Sequence, residues 1–419
     1  PYRGFLYEGN MQRLFLWIGL CFILTAASAH SFAAAAEGKM LVEIEIKTLA
    51  DIFNLKQTGD DIVTERTRPP IHAIVTDKQR EELKSSGWAS HVEIEDLDRY
   101  FKEKINVDGN LGNYHTYTEM VDELQRVAAA YPNITRLVDI GDSWEKTQGI
   151  ADRDIWALKI SDNPEMEERR EPDVLIVGCH HARELITVEI PLAIIQTLTE
   201  NYAVDSRIKF LVDHREIWIV PMLNPDGHVY VEETDSWWRK NRNTNGYDNV
   251  SHQGVDLNRN YSFQWGYDNV GSSPYPQSET YRGLSPFSEP ESQALKSLVE
   301  KHHFALSLSY HSFGNLFLFP WGYIKADTED HTTFKKLGKM YTRQNGYTYG
   351  NTKDGIIYKT NGEMNDWMYG EQKSKDKAYG VTIEVGHTFQ PPESEVPELI
   401  RENVTPALRM ILAAGRLKS

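Results

Sequence analysis

Short apolar runs separated by amphipathic stretches organise most of the chain. Residues 174–179, 216–222, 305–310 and 381–385 are runs of strand length, while 187–201 and 288–301 carry apolar residues at helical spacing. Ser288 and Glu291 stand at capping-box spacing and predict the start of the second helix there. Strands alternating with helices from Tyr114 onward predict an α/β fold, with one large, mixed but mostly parallel sheet and helices on both faces. Upstream the order differs: strand 41–47, a short helix, further strands, helix 77–86 and strand 91–95 predict a small α+β unit. Between the two, residues 100–113, with Lys102, Lys104, Gly109 and Gly112, are expected to form an exposed and cleavable connection.

The first residues carry a different pattern. Arg13, the apolar run 14–27 and the small residues Ala27-Ser28-Ala29 predict a secretory signal peptide over 11–29, with residues 1–10 as translated upstream sequence. The expected division is then 1–10, 11–29, an α+β unit with its connection over 30–105, and a large domain over 106–419. The apolar run is shorter than the roughly 20 residues a membrane-spanning helix needs. An exported chain without a membrane anchor is expected, in the periplasm or outside the cell. A formal charge of -16 speaks against a nucleic-acid partner, whose binding depends on clustered Lys and Arg. The two cysteines are Cys21, inside the leader, and Cys179, at the end of an apolar strand, where a buried and inert thiol is expected.

Candidate chemistry begins where the run 174–179 ends, in "CHHARELITVE" at 179–189. His181 and Glu184 are three apart, so one turn of chain can aim both at a point, and His180 and Glu184, four apart, compete on spacing. His311 directly follows the run 305–310. Polar groups just beyond the carboxyl ends of strands line the ligand crevice of such folds. Two His and one Glu with an open position form a donor set for catalytic zinc. His-x-x-Glu alone is a weak signal.

Eight stretches sharpen the reading: "HHARE" at 180–184, "NPDG" at 224–227, "WRKNRN" at 238–243, "GVDLNRNY" at 254–261, "ETYRGLSPFSEPE" at 279–291, "SYHSF" at 309–313, "IYKTNGEMNDW" at 357–367 and "TIEVG" at 382–386. In these motifs the chain resembles the zinc metallocarboxypeptidases of the carboxypeptidase A/B family, nearest to their bacterial carboxypeptidase T branch. The resemblance implies a carboxypeptidase-like fold and one zinc ion per chain, held by His181, Glu184 and His311 rather than His180. It makes Asp256 the carboxylate that orients His181, Glu384 the general base, and Arg242 the donor to the developing oxyanion. Arg239 and Lys240 otherwise read as a basic surface patch, with Lys240 solvated. Asn258, Arg259 and Tyr358 match the clamp for the substrate's α-carboxylate, with Arg183 lining the approach.

Asn365 occupies the family's specificity position and is neither apolar nor acidic. Glu363 matches an acidic residue of the branch that accepts both apolar and basic C-terminal side chains. The implied activity is removal of single C-terminal residues from peptides and proteins, with dual apolar and basic specificity. The resemblance also implies a zymogen, the α+β unit being a propeptide removed by an activating protease near Lys102 or Lys104. A monomer is expected. The alternative on the same fold is a zinc amidohydrolase acting on cell-wall peptides, disfavoured because Asn258, Arg259 and Tyr358 are all present.

Overall fold

Alternating side chains build the N-terminal part. The computed structural model describes residues 38–46, 61–62, 71–105 and 111–417. The expected upstream residues and signal peptide, the expected short helix after the first strand, and positions 106–110 of the expected connection lie outside them. Strands β1 (Lys39–Ile44), β2 (Asp61–Ile62), β3 (Ile71–Thr76) and β4 (Ser90–Ile94) form an antiparallel sheet in the order β2-β3-β1-β4. Met40, Val42 and Ile44 point to one face and pack with Ala73, Val75 and Leu83, the last from α1 (Asp77–Ser85). Thr76 and Gln79 close a capping box at the start of α1, each side chain accepting from the other's backbone N–H.

A second helix, α2 (Leu97–Lys104), follows Asp96, whose carboxylate accepts from the N–H of Arg99. This corrects the expected connection over its first residues, 100–104, which are helical. Leu97, Phe101 and Ile105 recur at helical spacing and are buried, so apolar periodicity outweighs the charged residues between them. Lys102 remains exposed.

The large sheet comprises β5 (Thr135–Asp142), β6 (Asp154–Ile160), β7 (Asp173–Val177), β8 (Glu216–Val220), β9 (Phe304–His311), β10 (Leu316–Leu318), β11 (Thr348–Gly350) and β12 (Tyr379–Glu384). Their order is β11-β10-β12-β9-β7-β8-β6-β5. The central strands β12, β9, β7 and β8 are parallel, whereas β8–β6, β6–β5 and β10–β12 pair antiparallel. The mixed sheet expected from the pattern is therefore observed, its parallel part innermost.

Helices cover both faces: α3 (Tyr117–Ala130), α4 (Ile186–Glu200), α5 (Pro225–Glu233), α6 (Pro290–Val299), α7 (Met364–Gly370) and α8 (Val396–Ala414). In β7 and β8, Val174, Ile176, Ile217 and Ile219 enter the core shared with α3, α4 and α8. Leu175, Val177, Trp218 and Val220 enter the core shared with α6 and α7. Burial on both faces explains why these strands read as continuous apolar runs. The expected Ser288–Glu291 capping box is absent. Pro290, with its fixed φ, starts α6 after Glu289, and Ser288 donates to Glu289 instead (2.6 Å). Among the described residues no helix is long and apolar enough to cross a membrane.

Candidate active site

Beyond β7 the chain must turn sharply to enter α4, and Gly178 makes the turn possible. A Cβ there would meet the carbonyl oxygens of Thr187 at 2.1 Å and Pro221 at 2.6 Å. Thr187 then ties the turn together: its Oγ1 accepts from the N–H of Cys179 (3.0 Å) and donates to Glu184 O (2.6 Å). Asn224 of "NPDG" caps α5 and donates to His180 O (3.2 Å) and Lys240 O (3.1 Å), locking this turn to the loop that carries Arg239. Cys179 is fully buried and burial pushes its thiol up, so it is inert as expected.

The turn presents His181 and Glu184 to His311, the last residue of β9. His181 Nδ1 lies 2.7 Å from Glu184 Oε1 and 3.1 Å from His311 Nδ1, and His311 Nδ1 lies 3.1 Å from Glu184 Oε2. Tetrahedral coordination with bonds of about 2.0–2.1 Å places ligand atoms about 3.3 Å apart. All three side chains are buried, and burial lowers the pKa of His311, favouring the neutral ring whose lone pair a metal needs. The residues fit a zinc ion.

His180 points elsewhere. Its ring lies between Tyr261 Oη (2.8 Å) and Ser309 Oγ (3.2 Å), and burial, with His311 and His181 nearby, depresses its pKa far below the usual value.

The outer nitrogens of both site imidazoles are held. His311 Nε2 lies 3.1 Å from Ser309 Oγ, and His181 Nε2 lies 3.0 Å from Asp256 Oδ1. Asp256 also caps a short 3-10 turn, Leu257–Arg259, accepting from the N–H of Asn258 (2.9 Å), while its Oδ2 accepts from Arg239 Nη2 (2.9 Å). Burial works to raise the Asp256 carboxyl, but Arg239 and His181 outweigh it and hold it well below the carboxylate range. An ionised partner fixes the ring and increases its basicity toward a metal.

Glu384 ends β12, directly across the parallel pair from His311. It is buried and lines the cavity next to the cluster, together with His181, His311, Asn258, Arg259 and Arg239. β9 and β12 reach this cavity by strict alternation: Leu306, Leu308, Tyr310, Val381 and Ile383 face the core, while Ser309, His311, Thr382 and Glu384 face the opposite side.

Two expectations about "WRKNRN" are corrected. Arg242 does not line the cavity: its guanidinium lies 3.7 Å over the Tyr230 ring and 4.8 Å from the Trp238 ring centre, and it donates to Gln253 (3.2 Å). Arg239 is the cavity arginine, with Nη1 3.8 Å from Glu184 Oε1 and its backbone carbonyl accepting from the N–H of Ala182 (2.9 Å). In an irregular loop no period tells which arginine faces inward. Lys240 is not solvated but 1% exposed, its ammonium donating to Pro276 O (2.7 Å) and Ser278 O (3.2 Å).

Asn258 and Arg259 reach the cavity as expected. Asn258 is fixed by the N–H of Met364 (2.9 Å), and buried Arg259 has an Nε with no hydrogen-bond partner among the described residues. Ile357 lines the cavity; Tyr358, half-buried in the irregular segment before α7, does not. Arg183 is also outside the lining, its guanidinium 4.1 Å from the Phe389 ring centre.

Glu363 and Asn365 both line the cavity, beside Leu318, Phe319 and Trp321. Glu363 accepts from Thr360 (2.6 Å) and fills the space that a Cβ on Gly322 would take, 1.9 Å from Glu363 Oε1. Asp366 behind it accepts from the N–H of Gly322 (3.0 Å), and burial and Glu363 raise its pKa far above the carboxylate range. Glu363 is thus the carboxylate that this wall offers.

A family model described as zinc carboxypeptidase matches residues 120–406. A zinc carboxypeptidase of Saccharothrix mutabilis subsp. capreolus is 32% identical over 397 residues, covering 85% of this chain and 84% of that protein. A zinc carboxypeptidase of Simulium vittatum is 30% identical over 317 residues, 73% of this chain and 97% of that protein. The solved carboxypeptidase A of Helicoverpa armigera superposes with a TM-score of 0.77 at 24% identity, covering 90% of this chain and 98% of that one, and shares the fold.

Proposed function

Because the chain belongs to the zinc carboxypeptidase family and is a metallocarboxypeptidase acting on peptide C-termini, we propose that His181, Glu184 and His311 hold its zinc and Glu384 is its general base. One observation carries this reading: three buried ligand side chains converge while a second acid, Glu384, stands across the strand pair from His311 and outside the ligand set. Zinc bound there supplies Lewis acidity toward a carbonyl and a water. Glu384 takes the water's proton and returns it to the leaving amine. Arg239 donates to the oxygen that becomes negative as the carbonyl turns tetrahedral. Asp256 holds His181 in orientation, and Arg239, bonded to Asp256, is itself held in place.

Arg259 and Asn258 clamp the α-carboxylate of the terminal residue, a planar fork meeting a carboxylate. Tyr358 and Arg183 stand outside this clamp. The terminal side chain enters between the apolar wall of Leu318, Phe319 and Trp321 and the carboxylate of Glu363, with Asn365 at its base. That mixed lining supports dual apolar and basic specificity. Matched peptides ending in Phe, Leu, Arg and Lys are expected to lose one residue at a time, and their C-terminal amides to resist. Glu363→Gln should lower kcat/KM for Arg and Lys ends by on the order of tenfold or more, leaving Phe unchanged. Resistance of both basic peptides to the unaltered enzyme would refute the dual reading; equal turnover of amides would refute the clamp.

The N-terminal block is a propeptide of an exported enzyme in this reading. Its second face packs Ile74 and Leu97 against Trp237 and Phe389, with Tyr100 and Phe313 alongside. Trp237 Nε1 donates to Leu97 O (3.2 Å), Ser236 donates to Asp98 (2.9 Å), and Lys39 pairs with Asp235 (2.7 Å). Phe313 is two residues beyond His311, and Phe389 carries Arg183, so the block lies against the approach to the zinc. Cutting the full chain near Lys102 or Lys104 with a trypsin-like protease should raise peptide hydrolysis. Equal activity before and after the cut would make the block a folding aid.

A further inference from the structure

At the end of the sheet away from Glu384, three neighbouring parallel strands begin beside one another. Asp173 opens β7 and Glu216 opens β8, paired in register, and His302 stands two residues before β9. One donor atom from each of the three lies within 4.8 Å of the others. Asp173 is 3% exposed and Glu216 0%. Glu216 Oε1 accepts from Lys159 Nζ (2.8 Å) and from the N–H of Glu168 (2.7 Å), and Asp173 Oδ2 accepts from the N–H of His303 (3.0 Å).

Two atoms of the cluster lack partners. Buried Glu216 Oε2 and His302 Nδ1 have no hydrogen-bond partner among the described residues, although His302 Nδ1 is only 4.0 Å from Asp173 Oδ2. Lys159 brings one positive charge to two buried carboxylates. Trp218 packs against the His302 ring, centres 4.6 Å apart, and fixes its direction. Lys159, Trp218 and His302 also line a cavity of about 350 Å³, which gives a path to the cluster from outside.

We propose that Asp173, Glu216 and His302 form a second divalent-cation site, separate from the catalytic one, that clips the starts of β9, β7 and β8 together. Two carboxylates and one imidazole suit a borderline transition-metal dication such as Zn²⁺. A cation there neutralises the excess charge and stabilises the folded chain by mass action.

The test titrates the full chain, its catalytic zinc in place, with Zn²⁺ by calorimetry while the thermal midpoint is followed. The unaltered protein is expected to take up a second equivalent and to melt at a higher temperature with it. His302→Ala, a change at a partly exposed side chain, should abolish the second equivalent, keep the first, and leave peptide hydrolysis unchanged; Asp173→Asn should do the same. If Asp173→Asn does not fold, His302→Ala decides alone. Absence of a second equivalent in the unaltered protein, or its persistence in His302→Ala, overturns the proposal.

Discussion

Glu384→Gln is expected to lose about 10²- to 10⁴-fold in kcat while keeping one zinc per chain. The amide has nearly the same shape and can still hydrogen-bond, but it cannot accept a proton at neutral pH. Glu384 faces the cavity from the strand beside His311, while the ligand set closes without it through His181, Glu184 and His311. The measurement pairs steady-state hydrolysis of a peptide ending in Phe with metal analysis of the same sample. Turnover within tenfold of the unaltered enzyme would remove Glu384 as the base; loss of zinc would make it a ligand.

Arg239→Ala should lower kcat by about 10²- to 10³-fold, the usual cost of removing one oxyanion donor. Arg242→Ala should leave kcat near its starting value and lower the melting temperature, because it removes a cation stacked on Tyr230 and Trp238, a contact worth about 0.5–2 kcal/mol. Arg239 also holds Asp256 through two nitrogens, so zinc content must be read beside the rates. Arg239→Lys separates the two duties: it keeps a charge without the fork. Equal losses of kcat in the two alanine variants would refute the assignment.

Much of this was legible in the sequence, for reasons specific to each element. Strands buried on both faces are rich in apolar residues, so β7, β8, β9 and β12 stand out, and His181 and His311 are marked by their place at the ends of two of them. The choice of His181 over His180 needed the family motif, since spacing admits both and only the turn at Gly178 decides between them. The Arg239–Arg242 exchange went unread because "WRKNRN" lies in a loop, where side-chain direction follows local hydrogen bonds such as that from Ala182 to Arg239. Lys240 defied expectation for the same reason, its ammonium buried against carbonyls that come from 36 and 38 residues away. Helix α2 was hidden by its charged positions, although Leu97 and Phe101 carry the spacing. One further signal lies in "LSLSYH", where every second residue is polar within a strand that is buried along its whole length. A serine on a buried face marks a polar partner there, as Ser309 does for His180 and His311.

The pairing of β9 with β12 sets how Glu384 stands to His311. His311 and Glu384 face each other because Leu306, Ser307 and Leu308 are matched one for one with Tyr379, Gly380 and Val381. An extra residue within either stretch would turn His311 or Glu384 into the apolar core, whereas the segment between β11 and α7 lies outside that match. Under the proposed roles, preference for one terminal residue over another can change without touching the strand register, while the reaction is bound to a hydrogen-bond ladder that admits no insertion.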